Sequence, residues 1–162
     1  MNIGIKSLGF FAFHFSLYRV YERKGIHSMN YEGRDKHALF WDFDDAGNLE
    51  SVCNDLLYVQ EKYQLPSIYI VESSEGKYHA YCFTARPFKE TIHIISDSKL
   101  VDEMFLRLGC ARGYWTLRIN KRTERDLIPI LILASSIDAE QSPISLSISD
   151  FITSNKGEKS NA

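Results

Sequence analysis

The chain has 162 residues, a formal net charge of -2, 44% hydrophobic and 25% charged residues. That length suits one domain with a self-sufficient core, and the composition excludes disorder over most of the chain. The near-neutral balance excludes a strong overall field for polyanions, so a nucleic-acid partner would need a local basic patch. Cys53, Cys82 and Cys110 are scattered and form no CxxC pair. That argues against a disulfide framework or a zinc knuckle and fits a reducing, cytoplasmic setting. No stretch approaches the roughly 18 apolar residues that span a bilayer, so no membrane partner is expected. Residues 1–150 are expected to form a single domain and the polar end, 151–162, a flexible tail.

Apolar residues alternate from Phe11 to Tyr21, which predicts a half-buried strand, with Arg23-Lys24-Gly25 as its turn. A second strand runs from His37 to Phe43. Asp44-Asp45-Ala46-Gly47-Asn48 stops it and supplies a helix N-cap. Leu49, Val52, Cys53, Leu56, Val59 and Tyr63 then recur at helical spacing, predicting a helix over 49–63. Residues 67–72 and 78–84 read as a hairpin around Ser73-Ser74-Glu75-Gly76. After Pro87 a polar connection is expected. A second helix then carries Leu100, Val101, Met104, Phe105 and Leu108, capped by Asp97 or Ser98 and closed at Gly109. Strands over 114–120 and 128–133 complete the series. The expected fold is therefore α+β, a ferredoxin/RRM-like β-α-β-β-α-β core with extra N-terminal strands. Its helices would cover one sheet face and leave the other open.

Strand parity predicts what the open face carries. Asp42 and Asp44 share one face and Trp41 and Phe43 the other, with the two carboxylates about 7 Å apart along the strand. Such acids repel unless a cation joins them, and a hard divalent ion, Mg²⁺ or Mn²⁺, suits oxygen ligands. The plain alternative is a solvated strand end that opens a turn. His79, Tyr81 and Phe83 share a face of the hairpin. The turn before them, with Ser73, Ser74, Gly76 and Lys77, offers backbone N–H groups and a charge to a phosphate. Arg118 falls on the polar side of the last core strand, and Lys121, Arg122 and Arg125 follow it as a candidate basic patch. An ordinary charged edge is the plain alternative there.

Phe40-Trp41-Asp42-Phe43-Asp44 resembles the hydrophobic-Asp-hydrophobic-Asp motif of archaeo-eukaryotic primases and primase-polymerases. Ser73-Ser74-Glu75-Gly76-Lys77-Tyr78-His79 is similar to their serine-glycine turn leading to a histidine. Tyr114-Trp115-Thr116-Leu117-Arg118 resembles the strand whose arginine faces the nucleotide. The resemblance covers about residues 36–125. It implies a metal-dependent nucleotidyltransferase of plasmid or virus DNA replication, with Asp42, Asp44 and His79 catalytic and Asp42 and Asp44 holding Mg²⁺ or Mn²⁺. Ser73, Ser74, Gly76, Lys77, His79, Arg118 and Lys121 would bind the nucleoside triphosphate. A DNA or RNA template and a helicase on a separate chain are the implied partners. Ala111 stands where that family carries a third acid; Asp102 and Glu103 lie upstream, in a helix, and Glu124 and Asp126 downstream. Two other readings stand beside it, the first from that departure and the short chain, the second from the similar sheet such proteins use. One is a catalytically silent relative that binds nucleic acid. The other is a rolling-circle replication initiator, for which Tyr58 and Tyr63 lie on a helix but His79-Ala80-Tyr81 breaks the required His-hydrophobic-His pattern. A plain RNA-binding sheet would use Tyr81, Phe83 and Tyr114, beside acids that repel phosphates.

Overall fold

The computed structural model of the protein describes residues 2–8, 11–16, 25–30, 33–118 and 129–139. The fold is α+β. Two N-terminal strands, β1 (Asn2–Leu8) and β2 (Phe11–Ser16), pair antiparallel. Then come β3 (Gly25–His27), β4 (Met29–Asn30), β5 (Gly33–Phe43), α1 (Leu49–Tyr63), β6 (Ile68–Ser74) and β7 (Lys77–Pro87). The order ends with α2 (Phe88–Ser96), α3 (Glu103–Arg112), β8 (Thr116–Arg118) and β9 (Pro129–Leu133). A five-stranded sheet has the order β4-β5-β7-β6-β9, while β3 pairs with β8 in a small sheet of its own. Every described pairing is antiparallel.

The central unit follows from simple local rules. Asn48 caps α1 by accepting from the Ser51 N–H at 2.8 Å, as its short polar side chain allows. The helix ends at Gln64, which takes the left-handed conformation before Pro66. Val52, Leu56 and Val59 form its buried stripe. The crossover β5-α1-β6 leaves one place between its strands, and β7 returns through the hairpin at Gly76 to fill it. The turn requires a positive φ at Gly76, +70°, which glycine adopts without strain.

Several expectations are corrected by the fold. Residues 88–96 form the helix α2 rather than a polar connection, with Thr91, Ile94 and Ile95 buried. Asp102, not Asp97 or Ser98, caps the following helix, its carboxylate accepting from the Phe105 N–H at 2.6 Å. Gly109 does not end that helix; Gly113 does, at φ +81°. The absent side chain at Gly109 serves packing, because a Cβ there would lie 1.9 Å from the Trp115 indole. The strand β8 pairs with β3, in register from Gly25↔Arg118 to His27↔Thr116, and not with β5. Ser28 joins the two sheets: its N–H donates to the Trp115 carbonyl and its carbonyl accepts from the Ala38 N–H, both at 2.8 Å. The polar face of the central sheet is not open either. Phe40, Val71, His79 and Tyr81 on it are all buried, and the Arg118 end of β8 lies across it. Residues 17–24, 119–128 and 151–162, which hold part of the expected first strand, the candidate Lys121, Arg122 and Arg125, and the expected tail, lie outside the described residues.

Candidate functional site

The register of β5 against β7 sets Asp42 directly opposite His79 and Phe40 opposite Tyr81. Side chains of directly paired residues project together, so the acid and the imidazole meet. His79 Nε2 lies 3.5 Å from Asp42 Oδ1. The other ring nitrogen, Nδ1, lies 3.3 Å from both the Tyr81 hydroxyl and the Arg118 carbonyl. A carbonyl only accepts, so Nδ1 carries the proton in the neutral ring and Nε2 presents a lone pair to the carboxylate. Asp42 Oδ1 is buried and has no hydrogen-bond partner among the described residues. Two acceptors thus face one another with nothing between them to donate. Either a proton or a cation would relieve that arrangement.

The surroundings reinforce it. Burial, and then the nearby carboxylates of Asp44 and Asp102, push the Asp42 carboxyl up to about 6, against the opposing pull of Arg118 and Lys77. Burial and the Arg118 guanidinium push the His79 imidazole down to about 4. Burial also drives the Tyr81 phenol well above its ordinary range, so its hydroxyl stays protonated and donates to the Arg118 carbonyl at 2.8 Å. Lys77, at the start of β7, holds Asp44, just past the end of β5, through an ion pair of 3.1 Å. Both partners are half exposed, so this pair is weak and readily exchanged.

Asp42, Asp44, Lys77, His79 and Arg118 therefore stand together around the end of β5. Ser73 is buried, and its hydroxyl donates to the Lys77 carbonyl at 3.4 Å. Ser74 is exposed and pairs with Lys77 across the turn. The Gly76 N–H donates to the Glu72 carboxylate at 3.2 Å, so this turn donor already has an acceptor. Tyr58 and Tyr63 share α1 with Lys62, whose ammonium lies 5.5 and 5.3 Å from their ring centres.

Sequence reasoning missed one member of the site. Ala111 is exposed in the last turn of α3. Asp102, the cap of that helix, is the acid that reaches Asp42: its N–H donates to the Asp42 carbonyl at 2.8 Å, and both line a cavity of about 200 Å³ with Phe105, Gly109, Trp115 and Thr116. The signal was present as an aspartate three residues before Phe105 at a helix start, but capping explains that pattern without any site. Compared with known proteins, the chain matches no family model, no curated protein and no solved structure.

Proposed function

We propose that this chain is a primase-polymerase-like nucleotidyltransferase domain that acts in the cytoplasm in plasmid or virus DNA replication, binding nucleotide and nucleic acid in a metal-dependent way. The observation that carries the reading is the buried, unpartnered Asp42 oxygen facing the His79 Nε2 lone pair, with Asp44 and Asp102 beside it. Acids gathered at the end of a strand suit a hard cation, and the neighbouring Lys77 and Arg118 suit phosphate oxygens. The reading takes β5, α1, β6 and β7, with strand order β5-β7-β6, as the main part of a ferredoxin/RRM-like frame.

Mg²⁺ or Mn²⁺ fits this donor set as a guest of Asp42 and Asp44, with water or phosphate oxygens completing its shell. When bound, such an ion neutralises charge at the reacting phosphate. The chain's own residues do the rest. Lys77 exchanges Asp44 for the triphosphate. Arg118 faces the same charge, and His79, fixed through Nδ1, keeps its Nε2 toward the acids. Asp102 takes the place of the third acid absent at Ala111. A helicase on a separate chain and a DNA or RNA template are the partners this reading calls for.

A second reading keeps binding without catalysis. It is favoured by the Lys77–Asp44 pair and because, among the described residues, no three His, Cys, Asp or Glu side chains are arranged to hold one ion. A titration of a fluorescent nucleoside triphosphate, with and without Mn²⁺, separates the two when joined to primer extension. The primary reading expects Mn²⁺ to strengthen binding in the wild type and Asp42→Asn to abolish that gain. It also expects slow extension that Asp102→Asn eliminates. Metal-dependent binding without extension supports the silent relative. Binding indifferent to both metal and Asp42 refutes the primase-like reading, and covalent capture of cleaved single-stranded DNA on Tyr58 or Tyr63 would support the rolling-circle initiator.

A further inference from the structure

The two edges of the central sheet are built differently. At one, β4 is only two residues long and its register against β5 is broken, which leaves little edge to pair. At the other lies β9, five residues, Pro-Ile-Leu-Ile-Leu, paired on its inner side with β6. No described strand pairs with its outer side. Ile130, Leu131 and Ile132 are 47%, 36% and 43% exposed, and β9 carries no charge. Natural edge strands are ordinarily blunted by lysine, inward charge, a bulge or a cover; β9 has Pro129 at its first position and a register shift against β6 at Ile130, but neither a charge nor a described cover.

The chemistry of an occupant follows from this edge. Unpaired backbone N–H and C=O groups call for another extended strand. Leu131 stands opposite Ile70 and Ile132 opposite Tyr69, so β9 is apolar on both faces of the sheet, and the incoming strand must be apolar on both faces as well. A second β9 meets both demands. Antiparallel pairing about a two-fold axis at Leu131 sets Leu131 against itself and Ile130 against Ile132, with no charge opposed to a like charge. The Gln60 amide of α1 donates to the Leu133 carbonyl at 3.1 Å, which holds the end of β9 in place. These few residues fall far short of the roughly 20–30 per side of a stable interface, so the association is reversible and set by concentration.

We propose that β9 is a self-association edge, on which a second copy of this chain adds its own β9 antiparallel and joins two five-stranded sheets into one. The proposal stands apart from the nucleotidyltransferase reading. Sedimentation velocity of the full chain, from low micromolar to millimolar concentration, tests it. The wild type is expected to pass from monomer to dimer. Leu131→Lys, which puts two ammonium groups face to face at the axis, is expected to weaken dimerisation tenfold or more, with circular dichroism unchanged. Ile132→Lys serves the same purpose should Leu131→Lys fail to fold. In a Cys110→Ser background, Leu131→Cys is expected to oxidise to a covalent dimer, because directly opposed Cα atoms about 4.5–5.5 Å apart lie within disulfide reach. A wild type that stays monomeric throughout overturns the proposal. So does a dimer that tolerates folded Leu131→Lys or Ile132→Lys, and so does an intrachain disulfide between Leu131→Cys and Leu146→Cys, which would make the occupant the chain's own later segment.

Discussion

His37 and His79 are both buried and both hold the imidazole below its ordinary titration range, yet they do different work. At His37 one ring nitrogen is tied into a chain of paired polar groups. The Ser28 hydroxyl accepts from the Trp115 backbone N–H at 3.0 Å, which leaves its proton for His37 Nδ1, also at 3.0 Å. Phe88 and Trp115 then pack against the ring. At His79 only Nδ1 finds an acceptor, while Nε2 is aimed at an orphaned carboxylate oxygen. A buried histidine held by a shared hydroxyl joins two sheets; one left facing an unmatched acceptor marks a place for a ligand. The contrast lies in the partners rather than in burial or titration.

The largest effect should come from the closed region. Trp115→Ala removes the fully buried ring that packs on Gly109, Phe88 and His37, and should cost about 3–5 kcal/mol in a urea melt. A cost under ~1 kcal/mol would show that this junction is not a stability centre.

At the open region the sign reverses. The Asp42 carboxyl titrates at about 6 in the folded chain against 3.8 ordinarily. Its contribution to stability is therefore full below pH 3.8 and is lost as pH rises to about 6, a swing of roughly 3 kcal/mol. Asp42→Asn should thus stabilise the protein at pH 7 by roughly 2–3 kcal/mol while abolishing metal-dependent nucleotide binding. Destabilisation at pH 7 would mean that the acid is already paired.

His79 supplies the opposite slope. Its ring titrates at about 4 against 6.5, so its contribution is full above pH 6.5 and is lost as pH falls to about 4. In the wild type the two slopes overlap and largely cancel. Asp42→Asn should expose a stability that rises from pH 4 to 6.5, and His79→Gln one that falls from pH 3.8 to 6. Melts across this range decide it, and flat profiles in both variants would show that neither group is perturbed.

The smallest effect belongs to the other histidine. His37→Ala strands the Ser28 hydroxyl and leaves a gap under Phe88, which should cost about 1–3 kcal/mol, with triphosphate affinity unchanged. A lost affinity with intact stability would erase the distinction between the two histidines.

Much of the site was legible in the residues themselves. Period-two patterning fixes which side chains share a face, so His79 with Tyr81 could be read from the chain alone, whereas Asp44 lies just past the end of β5, where strand parity no longer applies. A helix stripe and a cap placed α1, and a glycine turn placed the hairpin that returns β7 beside β5. Those are local rules, set by backbone geometry within a few residues. Other features depend on distant partners. Gly109 reads as a helix stop until Trp115 is seen lying against it. Asp102 reads as a helix residue until its N–H is found on the Asp42 carbonyl, sixty residues back in the chain. The polar face reads as open until the Arg118 carbonyl is placed over His79 and Tyr81. Sequence by itself determined β5, the first helix and the β6–β7 hairpin, because those follow from neighbours in the chain. Only tertiary structure decided which acid joins Asp42, which edge stays exposed at β9 and which histidine faces the orphaned acid, because burial and hydrogen-bond pairing are properties of residues that meet only after folding.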